Sequence, residues 1–130
     1  MLWVVFVLLL LLALASLVWI AIARLRRRLT AAASTRIRAM IQRADLAGDP
    51  VLRIIEYDKI LDQLLLELGF QGTTGEKLMK GAARFSNKEA LWKCHKLRNI
   101  IAHQQGATAS IADANHFQSV LQHAFAQVAR

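Results

Sequence analysis

The first 23 residues, MLWVVFVLLLLLALASLVWIAIA, contain no charged side chain, no Gly and no Pro. As a helix rising ~1.5 Å per residue they reach about 34 Å, enough to cross a hydrocarbon core of ~30 Å. Trp3 and Trp19 stand near the two ends, where indole rings favour the membrane interface. A buried core helix is a poor alternative, because the rest of a 130-residue chain is too small to surround such a run on every side. A cleaved secretory signal fits no better. Ala13-Leu14-Ala15 resembles a cleavage site, but the charged n-region is missing and the apolar run exceeds the usual ~7–15 residues. Residues 1–23 are therefore expected to be an uncleaved single-pass anchor.

Arg24, Arg26, Arg27 and Arg28 follow immediately, and no charged side chain precedes the run. By the positive-inside rule the remainder of the chain lies in the cytoplasm and the N-terminus outside, which in a bacterium means the inner membrane. The net charge of +8 is concentrated here. Between Arg24 and Arg43 stand seven arginines and no acid, leaving ten of the 17 basic residues to face all nine acids. Most of the excess thus belongs beside the bilayer, where each Lys or Arg near an anionic leaflet contributes on the order of 1 kcal/mol. Charge alone is then weak evidence for RNA binding. A local basic edge remains between Glu76 and Arg98, with Lys77, Lys80, Arg84, Lys88, Lys93 and Lys96 among them. The single cysteine, Cys94, excludes an intramolecular disulfide, fits a reducing cytoplasm and reads as a small core residue.

The rest reads as helices throughout. Residues 24–35 form a basic connector of small residues, and 36–130 the folded domain. Ile37, Met40, Ile41 and Ala44 mark a first amphipathic helix ending at Gly48. Asp49-Pro50 is a cap and a first-turn residue for a helix that stops at Gly69, with Ile54, Tyr57, Leu61, Leu64, Leu65 and Leu68 as its inward stripe. Asp58 and Asp62 sit on the shoulder of that stripe, where a carboxylate needs a partner; Arg98 is the expected one. Thr73 and Glu76 start a short basic helix. Its glycine-rich approach lacks the spacing of a phosphate loop. Ser110 and Asp113 begin a last helix lined by Ile111, Ala114, Phe117, Val120, Leu121, Ala124 and Val128. The expected fold is all-α: one transmembrane helix and an antiparallel bundle of four longer helices and one short one.

The stretch Ser86–Gly106 carries the chemistry. It predicts a helix capped by Ser86 and Glu89 and stopped by Gly106, with Ala90, Cys94, Leu97, Ile100 and Ile101 inward. His95, Arg98, Asn99 and His103 gather on the opposite side, where a solvated face more usually carries Lys and Glu. Leu91 and Trp92 flank that stripe, which implies that it is covered. Metal binding is not expected, since His95 and His103 are two turns apart and Asn99 occupies the position between them. His116 and His123 read as exposed or interface positions. No cofactor is implied.

Arg98-Asn99-Ile100-Ile101-Ala102-His103 resembles the R-N-x-x-x-H signature of the HEPN superfamily, helical-bundle domains many of which are RNases. With the Asp58-Lys59-Ile60-Leu61-Asp62 helix and the Gly69-Phe70 break, residues 49–129 are similar to membrane-anchored bacterial HEPN-like proteins. The resemblance implies two functions. In one, the domain is a scaffold, homodimeric or bound to another protein, and the polar stripe is structural. In the other it is a metal-independent RNase in which His103 moves protons, Arg98 grips phosphate and Asn99 orients them, with His95, Asp58 and Asp62 in support. Arg98 and His103 diverge by ~140° around one helix, so the nuclease needs either an unwound helix end or two protomers.

Overall fold

The structure is a computed structural model of residues 1–130 that describes every residue except the side chains of Arg24 and Leu25, so the arginine at 24 lies outside the described residues. Helix α1 (Leu2–Arg26) projects from the domain with its apolar side chains exposed. The window Leu2–Ala23 has a mean hydropathy of 3.0 and none of it is buried. An apolar helix with no protein cover has lipid as its natural solvent, and this one is long enough to cross a membrane.

The bundle begins earlier than the periodicity predicts. Leu29 is fully buried and its N–H bonds to the Val128 carbonyl at 2.9 Å, while Thr30 caps α2 (Ala31–Asp45) by accepting from the Ala33 N–H. Arg36 is thus mid-helix, and the expected connector shrinks to the few residues before Leu29. A leucine followed by a threonine cap is the signal that the run of alanines conceals.

Asp49 caps and Pro50 opens α3 (Pro50–Glu67), as their chemistry dictates. Gly69 follows at φ +96°, a conformation that favours glycine, and turns the chain toward α4 (Thr74–Gly81). Thr73 caps α4, and a 3₁₀ turn over Ala82–Arg84 leads to α5 (Lys88–His103). Ser110 and Asp113 form the reciprocal capping box of α6 (Ile111–Val128); the Ser110 N–H and hydroxyl hold the Asp113 carboxyl below its ordinary pKa.

Central to the core is α3, whose Ile54, Tyr57, Ile60, Leu61, Leu64 and Leu65 are buried against α2, α5 and α6. Arg36 of α2 reaches Glu67 at the far end of α3, so these two run antiparallel. Asn87, just before α5, accepts from the Gln127 side chain near the end of α6, so these do too. Arg53 meets Asn115 near the starts of α3 and α6, which therefore run in the same direction. Beneath them the Tyr57 hydroxyl donates to Asp45 at 2.7 Å and accepts from Arg53; burial first, then the Asp45 bond, raises its pKa above the ordinary value.

Two expectations for α5 fail. Ser86 does not cap it: its N–H bonds to the Gln127 side chain and its hydroxyl pairs with His123, so α6 has claimed both groups and the helix starts at Lys88. The inward face is also rotated. Leu91, Cys94 and His95 are buried, Leu97 and Ile101 only half so, and Ile100 is 45% exposed. Partners on α3 for the polar side chains pull that side of the helix into the bundle, overriding the apolar count.

Candidate functional site

Four side chains from two helices close a ring. Asp58, on α3, is 4% exposed, and His95, on α5, is 8% exposed. His95 Nδ1 lies 2.8 Å from Asp58 Oδ1, and His95 Nε2 lies 3.3 Å from Asn99 Nδ2. Arg98 Nη1 donates to Asn99 Oδ1 at 3.3 Å, and Arg98 Nε lies 3.5 Å from Asp58 Oδ2. The i, i+4 spacing of His95 and Asn99 brings them together on one helix, and the position of Asp58 on the shoulder of the α3 stripe faces them.

Donor and acceptor capacity fixes the proton in this ring. A guanidinium only donates, so Asn99 presents its oxygen to Arg98 and its amide nitrogen to His95. His95 Nε2 must then accept, which puts the imidazole proton on Nδ1, aimed at the Asp58 carboxylate. The ring thus holds the imidazole between an amide and a carboxylate, with one guanidinium beside the carboxylate. Arg98 Nε is buried and makes no hydrogen bond, so charge rather than alignment holds it near Asp58. Trp92 stands edge-on to His95, with ring centroids 6.3 Å apart, and a Cβ at Gly75 would come within 3.8 Å of Nε2. Together they close the outer side of the imidazole.

Asp62 is not part of the ring. It takes Lys77 Nζ at 2.9 Å and the Thr74 hydroxyl at 2.7 Å, both from α4. Lys77 is only 5% exposed, so it is a buried ammonium and not part of the basic edge expected between Glu76 and Arg98. A cleft of about 610 Å³ opens beside these groups, lined by Asp58, Asp62, Arg98, Thr74, Lys59 and Met40 among others. Cations and carboxylates are closely matched in it, so it offers no strong field to an anion.

His103 is elsewhere. It closes α5, is exposed, and makes no hydrogen bond among the described residues. Of the three R-N-x-x-x-H side chains, the fold therefore brings Arg98 and Asn99 together and leaves His103 apart. The bond expected from His103 to the carbonyls of its own helix end is not among those present. His116 and His123, on α6, are exposed and make no hydrogen bond to the ring, and no cluster of three His, Cys, Asp or Glu side chains able to hold a metal occurs among the described residues.

Cys94 lies beside Asp58 in the core, and burial, with Asp58 second, raises its thiol pKa to about 11. A thiolate is the reactive form. Iodoacetamide at pH 8 is therefore expected to leave Cys94 unmodified in the native chain and to label it fully in denaturant; labelling of the native chain at the denatured rate would contradict this burial.

Comparison with known protein families, with curated proteins and with solved structures finds no match.

Proposed function

We propose that the chain is a membrane-tethered interaction module of HEPN-like type, its domain on the cytoplasmic face of the inner membrane and working as a homodimer. One observation carries this reading: the motif residues Arg98 and Asn99 are engaged in an internal ring with His95 and Asp58, whereas His103 stands apart in solvent. General acid–base cleavage of RNA needs the proton-transfer group and the phosphate-binding cation on one reacting unit. Within a single chain these two functions are separated. The ring instead fixes α5 to α3, and the outer side of α5 carries Ile100 beside half-buried Leu97 and Ile101, an apolar strip suited to a second copy.

The test uses the full chain in lipid nanodiscs with single-stranded and structured RNA. Intact RNA, together with dimers that Ile100→Lys dissociates, supports the interaction module. Cleavage by the parent that disappears in His103→Ala replaces it with the RNase reading, with the two chains completing one site. A strict monomer at micromolar concentration removes both.

A further inference from the structure

A second cavity lies at the junction of the apolar helix and the bundle. It has a volume of about 860 Å³, with Leu17, Ile20 and Ala21 of α1 on one side and Gly69, Gln71 and Lys80 of the α3–α4 corner and α4 on the other. We propose that this crevice holds an acidic phospholipid of the leaflet on the domain's side, its acyl chain along Leu17, Ile20 and Ala21 and its phosphate between Lys80 and Arg27. The inference rests on α1 spanning the membrane.

Three observations converge on that occupant. The wall formed by α1 is part of a wholly exposed apolar helix, so in a bilayer the space beside it fills with acyl chain. At the other wall, exposed Lys80 gives one hydrogen bond to the Gln71 carbonyl at 3.2 Å and keeps two N–H donors for a ligand. Arg27 approaches the same corner from a different element. A Cβ at Gly69 would stand 2.5 Å from Arg27 Nη1, so this guanidinium lies directly against the Gly69 backbone. Two cations therefore flank one backbone corner, and no carboxylate lines the crevice among the described residues. The volume falls in the ~300–1,000 Å³ range of ligand pockets. An anionic headgroup meets both cations there, whereas the terminal ammonium of a choline headgroup is repelled by them.

Native mass spectrometry of the full chain, released from micelles containing equal amounts of phosphatidylglycerol and phosphatidylcholine, tests the assignment. Retention of phosphatidylglycerol several-fold above phosphatidylcholine is expected, with Lys80→Glu lowering it several-fold and Lys80→Arg preserving it. Lys80 is exposed, so the far-ultraviolet circular dichroism of both variants should match the parent. Should Lys80→Glu nonetheless unfold, Ala83→Trp, which fills the crevice without changing charge, takes its place and is expected to lower retention equally. Equal retention of the two lipids, or a preference that survives these substitutions, overturns the site. Alkaline carbonate extraction separates this failure from that of its premise. A chain released into the aqueous phase overturns the membrane reading, while one that stays in the membrane without lipid preference overturns the crevice alone.

Discussion

Asp58→Ala is expected to lower the stability of the bundle by about 2–3 kcal/mol, the usual penalty for removing a charged acceptor and leaving its buried donor unpaired. The carboxylate is almost fully enclosed and serves His95 and Arg98 at once, so its loss strands a buried imidazole N–H and a guanidinium whose Nε already lacks a hydrogen bond. For a domain of this size each kcal/mol moves the melting temperature by about 4–8 °C, so a thermal melt of the full chain in detergent should fall by ~10 °C or more. Asp58→Asn is expected to cost less. Its amide oxygen can still accept from His95 Nδ1, but its amide nitrogen then faces Arg98 as donor against donor. A melt for Asp58→Ala within about 2 °C of the parent would mean that the ring contributes nothing to stability. Long-range ¹⁵N spectra of the imidazole offer a second reading, since the closed ring requires the Nδ1–H tautomer and the alanine variant releases it.

The helices were legible in the sequence wherever local chemistry set them. Asp49-Pro50, Thr73 and the Ser110–Asp113 box mark starts that the fold keeps, because a cap satisfies backbone N–H groups whatever the rest of the chain does. Ser86 has the same local chemistry and fails, because Gln127 and His123, about forty residues away, compete for its groups. The site was half legible for a related reason. A carboxylate on the shoulder of an apolar stripe announces that it needs a partner, and Arg98 is indeed one. His95 as the nearer partner was hidden, since counting apolar residues at 100° intervals puts it on the wet side of α5. Rotation of that helix is decided by one hydrogen bond and one ion pair, both to Asp58 on α3, which weigh more than the burial of Ile100. Spacing along one helix carries no information about such a trade. Lys77 is the same case: within an eight-residue helix nothing local distinguishes a buried ammonium from a solvated one.

That ammonium makes the Asp62–Lys77 pair strongly asymmetric. Lys77 is buried, whereas Asp62 keeps about a third of its side chain in solvent and has the Thr74 hydroxyl as a further donor. Asp62→Ala leaves a positive charge enclosed without a counter-ion, at an expected cost of about 3 kcal/mol. Lys77→Met removes the enclosed charge and keeps a flexible apolar stem in its place, while the carboxylate falls back on Thr74 and water. Its expected change is within about 1 kcal/mol of zero, because buried ion pairs are often replaceable by apolar groups of similar volume. The double variant is therefore expected to melt close to Lys77→Met, and far above Asp62→Ala. Urea denaturation of the four chains in the same detergent measures the coupling, provided the slope with denaturant stays constant. If Asp62→Ala and Lys77→Met cost the same, and the double variant costs their sum, the two groups act independently and α4 is held to α3 by packing around Leu78 alone.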